Sequence, residues 1–154
     1  MVKSKLFQQY NDVTALFLDR HDLHEEYKGR YANQKIISGE QVHGNQIAYV
    51  EKHSETYIKG VDGMITREVM CLDIKTADCL PVFFYIPEIK HIAALHAGWR
   101  GLLSGILDNT IKKIISLGEN PERMYVYIGP HIRVCCYEVS AYIYKKFENL
   151  DWIF

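Results

Sequence analysis

The sequence predicts an α/β fold in a single domain, and three of its features lead to that prediction. Short apolar runs rich in Val, Ile and Phe, bounded by Pro or Gly, are typical of buried strands. Between residues 102 and 117 the apolar side chains instead recur on one face of a helix. The 154 residues, 48% hydrophobic and 24% charged, are enough for one globular domain with its own core, and no linker or repeat divides them.

The predicted strands follow one another along most of the chain. They are Val13–Leu18, Lys35–Ser38, Gln46–Glu51, Met70–Ile74, Leu80–Ile86, His91–Leu95 and Met124–Ile128, with a polar stretch over residues 19–34 after the first. Two helices are predicted, Leu102–Leu117 and Val139–Glu148. Gly118 favours the end of the first helix because glycine readily adopts the left-handed conformation found there, and Pro121 bars its continuation.

Charge and hydropathy exclude several functional classes. Lys and Arg total 18 against 19 for Asp and Glu, so the chain lacks the basic surface of a non-specific nucleic-acid binder. No apolar stretch approaches the ~18 residues of a membrane span, so we expect no membrane partner. The start, MVKSKLFQQYND, has no apolar core typical of a signal peptide. We therefore expect a cytoplasmic protein, and the four cysteines, which form no CxxC pair, are expected to be reduced.

Three segments contain residues that could form one metal site. GEQVHGNQI contains His43, TADCLP contains Cys79, and LHAGWRG contains His96. Two imidazoles and a thiolate are good zinc ligands, and three protein ligands with an open position are typical of catalytic zinc. The spacings, 36 and 17 residues, require strand ends that meet in space. Without further information the alternative is stronger, because a single His or Cys is more often a packed residue than a ligand.

The segment HAGWRGLLSGIL also suggests a site for an anion. A strand that turns through glycine into a helix leaves unpaired N–H groups at the helix start, and these favour negative charge. Arg100 lies at that start and carries a planar guanidinium suited to phosphate. The alternative is that Arg100 is simply a solvated charge.

Five blocks of the sequence resemble the signatures of a known family. In order they are QVHGNQI, DGMIT, TADCLPV, HAGWRGL and IGPHIRVCCYEV, within about residues 35–140. They closely resemble the laccase-domain family, also called the multicopper polyphenol oxidase-like or peptidoglycan editing factor family. The resemblance implies a layered mixed β-sheet with flanking helices, and one Zn²⁺ held by His43, Cys79 and His96. It also implies purine nucleoside and phosphate as substrates, in phosphorolysis of adenosine, inosine or methylthioadenosine, together with deamination of adenosine.

Position in the sequence suggests roles for the neighbouring residues. A deamination in which activated water attacks C6 of the purine needs a carboxylate to move protons, and Asp78 or Asp62 is our candidate. An equally good interpretation of Asp78 is a cap or turn carboxylate. For phosphorolysis, Arg100 would hold phosphate against C1′ of the ribose. Trp99 and Tyr137 could stack on the purine, although an aromatic side chain is more commonly part of a core.

Three rival functions stay open at the level of sequence. A copper-dependent polyphenol oxidase needs many imidazoles, and the seven histidines include no His-x-His pair, although Cu²⁺ could displace zinc in vitro. A cell-wall precursor editing hydrolase could work without metal, with Cys79 as nucleophile and His96 or His43 as base. The third rival is an inactive truncated domain.

Members of the resembled family extend further, with a Cys-Thr pair and a Phe-Ser-Arg block before their end. We therefore expect residues 1–154 to form a single laccase-like domain that lacks the usual C-terminal segment. A missing layer would leave an apolar face and unpaired strand edges, both of which favour association. The sequence thus predicts a homo-oligomer, with its zinc site formed and its purine pocket more open.

Overall fold

The computed structural model of the protein describes residues 2–19, 31 and 33–148. The strands among these residues are β1 (Val2–Lys3), β2 (Leu16–Phe17), β3 (Ile36–Gly39), β4 (Ile47–Tyr49), β5 (Tyr57–Ile58), β6 (Gly63–Thr66), β7 (Cys71–Asp73), β8 (Leu80–Ile86), β9 (His91–Ala97) and β10 (Tyr125–Ile128). The helices are α1 (Trp99–Leu103), α2 (Ile106–Ser116) and α3 (Ala141–Glu148), with single 3₁₀ turns at Phe7–Gln9 and Pro121–Arg123.

A mixed five-stranded sheet forms the centre of the fold, in the order β10-β8-β9-β6-β4. Its pairs are antiparallel except for β4 and β6, which run parallel. The longest pairing joins β8 and β9 in a hairpin that opposes Leu80 to Ala97 and Pro81 to His96. A second sheet of three parallel strands has the order β5-β3-β7, and β1 pairs with β2. The predicted α/β fold with a mixed sheet is confirmed.

The central sheet is covered on both faces, which explains why its inner strands are mostly apolar on both sides. Neighbouring residues on β6 point to opposite sides, as the pleat requires. Ile65 packs with Leu95 of β9 and with Ile106 and Ile114 of α2 in one buried cluster. Met64 packs in a second buried cluster with Ile37, Val50, Val61 and Met70. The layers therefore consist of a helix, the central sheet and the smaller parallel sheet with its connections.

Several predicted elements differ from those in the structure. The prediction of one helix over residues 102–117 is wrong, because the chain forms α1 and then α2 with Gly105 between them. Gly105 has a φ of 84°, a left-handed conformation that interrupts the helix and that glycine adopts without a steric penalty. The β9 strand runs two residues beyond its predicted end and includes His96. Strands β1, β5 and β6 were not predicted, and most of the polar stretch over residues 19–34 lies outside the described residues.

Strand β10 lies at the edge of the central sheet and pairs on one side with β8. It exposes Tyr125, Val126 and Ile128 to solvent. An edge strand with apolar side chains is a surface that favours association with another chain. Within the described residues, no helix has the length and apolar character needed to cross a membrane.

A hydrogen bond from Tyr85 to Asp12 gives the fold a predicted pH dependence. The buried Tyr85 hydroxyl donates to Asp12 Oδ1 at 2.7 Å and lowers the pKa of that carboxyl, with a smaller contribution from Lys90. A carboxyl whose pKa is lowered by folding stabilises the fold above its unfolded pKa of about 3.9, and this contribution is lost as the pH falls through the lower folded value. We expect Tyr85→Phe to have a lower free energy of unfolding than the wild type at neutral pH. The difference between the two proteins should become smaller as the pH falls and Asp12 is protonated.

Urea unfolding of both proteins, from neutral pH to below about pH 4, measures this difference in the free energy of unfolding. Tyr127→Phe is the matched control, because Tyr127 packs against the same aromatic cluster. It should show no such dependence on pH. A gap between wild type and Tyr85→Phe that stayed constant below about pH 4 would contradict the assignment to Asp12.

Candidate metal centre

The fold brings His43, Cys79 and His96 to one end of the central sheet. Cys79 comes directly before β8 and His96 is the penultimate residue of β9, so the pairing of Pro81 with His96 places both at the same end of the hairpin. His43 comes from the loop that leads into β4, whose partner β6 pairs in turn with β9. One potential ligand atom from each residue lies within 4.8 Å of the others. This spacing allows all three to bind a single metal ion.

The carboxylate of Asp62 fixes the orientation of His96. Asp62 is 1% exposed, and its Oδ1 lies 2.8 Å from His96 Nδ1. An ionised carboxylate only accepts hydrogen bonds, so Nδ1 carries the proton and Nε2 remains available as a ligand. The backbone adds a second contact, in which the His96 N–H donates to the Asp62 carbonyl at 2.7 Å. Such a carboxylate–histidine pair is a common support for a metal-binding imidazole.

The same carboxylate holds the loop that carries His43. The backbone N–H of His43 donates to Asp62 Oδ1 at 2.9 Å, and that of Gly44 donates to Oδ2 at 2.7 Å. His43 has a φ of 61°, which is uncommon and costly for a residue with a side chain. Its ring lies edge-on to that of His96 with 4.6 Å between centroids. Asp62 therefore stabilises a strained backbone turn that brings the two imidazoles together.

Gly98 keeps the space beside the three side chains open. A Cβ at this position would lie 3.0 Å from His43 Cδ2 and 3.2 Å from Cys79 Sγ. Contacts this short force the neighbouring atoms to move. Gly98 has an extended backbone with a φ of −72°, which any residue can adopt. Glycine is therefore needed here for the space that it leaves and not for its backbone conformation. A metal ion fits this arrangement of donors, since nothing crowds them from the side of α1.

The surroundings of Cys79 disfavour a free nucleophilic thiolate. Burial raises the pKa of the Cys79 thiol, and the negative charges of Asp78 and Asp62 raise it further. An activated cysteine nucleophile needs the opposite, a pKa lowered by positive charge or a helix N-terminus. A bound dication would supply that positive charge and stabilise the thiolate. The arrangement is therefore better suited to metal binding than to a metal-free Cys–His hydrolase.

The other predicted site residues lie around this centre. Asp78 is exposed in the loop before β8, where it caps no helix, and its carbonyl accepts the Ile132 N–H at 3.1 Å. Arg100 is the second residue of α1 and is exposed, with its Cζ 4.3 Å from the centre of the Trp99 ring. Helix α1 has five residues, so its dipole is weak, and the guanidinium of Arg100 supplies the positive side-chain charge on this helix. Tyr137 is exposed and directly follows the turn over residues 134–136.

Asp62 has a role in the structure that sequence reasoning did not predict. The sequence suggests Asp62 as a proton shuttle, whereas in the structure both of its carboxylate oxygens are engaged by backbone N–H groups or by His96. This geometry favours a positioning role, and it leaves Asp78 as the accessible carboxylate. A signal was present in the sequence, because an acidic residue directly before the apolar run of DGMIT must find partners when that run is buried.

Comparison with known proteins defines the class to which the chain belongs. Residues 11–152 match the model of the family described as multi-copper polyphenol oxidoreductase laccase, and the chain is a member of that family. Among its curated relatives is the purine nucleoside phosphorylase RP494 of Rickettsia prowazekii, 32% identical over 127 residues, which are 82% of this chain and 52% of the relative. Another is the purine nucleoside phosphorylase YlmD of Geobacillus stearothermophilus, 37% identical over 121 residues, covering 70% and 43%. The chain spans about half the length of the curated relatives it matches.

Solved structures of the same family share the fold. The crystal structure of YlmD from Geobacillus stearothermophilus aligns with a TM-score of 0.73 and 29% identity, over 90% of this chain and 55% of that one. The Bacillus licheniformis protein YfiH aligns with a TM-score of 0.72 and 31% identity, over 77% and 48%. The family resemblance predicted from the five sequence blocks is thereby confirmed.

The contacts of Gly98 predict the effect of adding one methyl group. Gly98→Ala keeps an allowed backbone but pushes its Cβ against His43 and Cys79, so we expect zinc affinity to fall by about tenfold, in the range found when the support of a metal ligand is disturbed. Competition with a chromophoric chelator measures the affinity.

Gly118→Ala is the matched control for this variant. Gly118 has a φ of 90° and nothing within 4 Å of a Cβ placed there, so its substitution strains the backbone without touching the site. The control should lower stability and leave zinc affinity unchanged. A folded Gly98→Ala protein that bound zinc like the wild type would show that the space beside the donors is not needed.

Proposed function

We propose that the protein is a zinc-dependent purine nucleoside phosphorylase that acts on adenosine, inosine and methylthioadenosine and also deaminates adenosine. The observation that carries the proposal is the His–Cys–His group oriented by the buried Asp62. Relatives that are named purine nucleoside phosphorylases support it. Purine nucleoside and phosphate are the proposed substrates, and the cytoplasm is the proposed compartment, where a thiol such as Cys79 stays reduced.

Zinc is the proposed metal because of the chemistry of the donors. Imidazoles and thiolates are common zinc ligands, and three protein ligands with a position left for water or substrate are typical of catalytic zinc. Bound zinc would polarise a substrate group or activate water at neutral pH. Within residues 2–19, 31 and 33–148, this is the one group of three or more His, Cys, Asp or Glu side chains close enough to share an ion. A single site of this kind does not favour a multi-copper oxidase, although copper could occupy it in vitro.

The residues of the chain have distinct roles in this proposal. His43, Cys79 and His96 hold the metal, and Asp62 positions the two histidines. In phosphorolysis, a phosphate oxygen bonds to C1′ as the bond from C1′ to the base breaks, which yields the free base and ribose 1-phosphate. Positive charge develops on the ribose and negative charge on the departing base, and a guanidinium that binds the phosphate holds the attacking oxygen in position at C1′.

Arg100 supplies that guanidinium in the proposal, and Asp78 acts as the accessible acid–base residue. Arg100 is exposed and lies two positions after Gly98, which borders His43 and Cys79. Asp78 adjoins Cys79, and its charge acts on the thiol of that residue. The Arg100 guanidinium lies over the Trp99 ring, with its Cζ 4.3 Å from the ring centre, so the cation and the aromatic ring form a stacked pair. We propose that a purine or phosphate approaches the metal past this pair.

We also propose that two copies associate through strand β10. Within the part of the chain that the structure describes, this strand pairs with β8 alone, and it exposes Tyr125, Val126 and Ile128. Pairing of two such strands would satisfy the backbone groups and bury the side chains. Size exclusion with light scattering, applied to the protein used for the assay below, measures the state of association.

The direct test is turnover by the zinc-loaded protein. Incubation with adenosine and phosphate should release adenine and ribose 1-phosphate by phosphorolysis. Deamination should give inosine and ammonia, and phosphorolysis of that inosine should give hypoxanthine. Chromatography separates all of these. Cys79→Ala should abolish both activities, because it removes the thiolate from the donor set.

Cys71→Ala is the matched control, since Cys71 lies on β7 and its thiol donates to Gln34 Oε1 instead. It should keep the activity of the wild type. Arg100→Ala should keep the metal and require more phosphate, whereas Arg123→Ala, at an exposed ion pair with Glu88, should not. Absence of product from folded, zinc-loaded protein would favour an inactive domain. Stoichiometric copper with little zinc in the purified protein would favour the oxidase.

A further inference from the structure

The side chain of Gln41 joins the two loops that carry His43 and Cys79. Its Nε2 donates to the Lys75 carbonyl at 2.7 Å, and its Oε1 accepts the Lys75 N–H at 2.7 Å. Gln41 lies two residues before His43, and Lys75 lies four residues before Cys79. One amide thus makes the two hydrogen bonds that a neighbouring β-strand would make. It connects loops separated by 34 positions in the chain.

The backbone of Gln41 is also held in an unusual conformation. Its φ is 56°, in the left-handed region that residues with a side chain rarely adopt. Its N–H donates to the Val61 carbonyl at 3.0 Å, directly before the buried Asp62. The side chain reaches Lys75 while the backbone stays bonded to Val61 in the segment that leads into β6. Such strain persists where the surrounding contacts determine it, as they do here.

We call the two hydrogen bonds between the Gln41 amide and the Lys75 backbone the Gln41 clamp. Such a clamp affects metal binding because it holds the ligands in place before the ion arrives. Asp62 orients His43 and His96. Among the residues that the structure describes, it makes no hydrogen bond to the loop that carries Cys79. The thiol therefore depends on other contacts for its distance from the imidazoles. A ligand set that is already at the correct spacing loses less conformational entropy when the ion binds. Outer contacts that position metal ligands commonly change affinity by about 10–100-fold.

We infer that Gln41 is a positioning residue that sets the separation of His43 and Cys79 before a metal ion binds. The inference rests on the proposed metal centre. It predicts that losing the two hydrogen bonds weakens metal binding even in a protein whose fold is intact. A purely structural role for Gln41 would instead change stability and leave the affinity for metal as it was.

Two variants separate the clamp from the strained backbone. Gln41→Met keeps the length of the side chain and loses both hydrogen bonds. Gln41→Gly also loses both hydrogen bonds, but glycine adopts the left-handed conformation without steric strain. The turn itself should therefore be at least as stable in this variant as in the wild type. Gln46→Met is the matched control in the same loop, because the Gln46 amide is exposed and bonds to its neighbour Asn45.

The experiment measures zinc affinity by chelator competition, the absorption spectrum of the Co²⁺-loaded protein, and thermal unfolding of the metal-free protein. We expect both Gln41 variants to bind zinc about tenfold or more weakly than the wild type. The thiolate-to-Co²⁺ charge-transfer band should lose intensity, because Cys79 is the ligand that the clamp positions. Gln46→Met should match the wild type in all three measurements.

Different failures have different meanings in this experiment. Zinc affinity within about twofold of the wild type in both Gln41 variants would overturn the clamp, since outer contacts of this kind act over a larger range. Full affinity in Gln41→Gly alone would overturn it as well, because the backbone and not the amide would then matter. If wild-type protein bound neither Zn²⁺ nor Co²⁺, the proposed metal centre itself would be overturned, and the inference with it.

Discussion

The buried carboxylate of Asp62 is the interaction on which the candidate site depends. Removing an ionised carboxylate from water is costly unless it is paired and hydrogen-bonded. Asp62 has the partners it needs in the backbone N–H groups of His43 and Gly44 and in Nδ1 of His96. Each partner belongs to a segment with a candidate ligand. Satisfying one buried charge therefore brings the two imidazoles into a fixed relation.

The central sheet supplies the remaining constraint. Asp62 directly precedes strand β6, which lies between β4 and β9 in the sheet. The loop with His43 leads into β4, and β9 contains His96. The hairpin of β8 and β9 adds Cys79 at the same end of the sheet. Since the register of these strands is fixed by the buried side chains on both faces, the positions of the donors follow from the packing of the core. The site is a consequence of the sheet and not of one local motif.

These relations explain how much of the protein could be predicted from its sequence. The apolar run of β8 was predicted to the residue, because it is long and bounded by polar groups on both sides. The division of the predicted long helix into α1 and α2 was not predicted. The apolar periodicity of the sequence continues across Gly105, and the break shows only in the positive φ of that residue. Strand β6 has four residues, all buried, and so shows no alternation that would mark it. Short strands of this kind cannot be recognised from periodicity alone.

The candidate site, too, could be predicted from the sequence only in part. The three donors were predicted together from strand ends and the family resemblance, and the structure places them close to one another. The contacts that orient them could not be predicted, because Asp62 and His96 are 34 residues apart and meet only through the pairing of β6 with β9. Hydrogen bonds between distant loops, such as that of Gln41 with Lys75, leave no periodic trace in a sequence.

The measurement that tests the central claim most directly is X-ray absorption at the zinc edge of the zinc-loaded wild-type protein. The claim is that His43, Cys79 and His96 bind one ion as Asp62 orients them. The predicted spectrum contains one sulfur at about 2.3 Å and two imidazole nitrogens at about 2.0–2.1 Å, with a light atom in the remaining position. A spectrum without sulfur, or with only oxygen neighbours, would contradict the claim, because Cys79 would then not be a ligand.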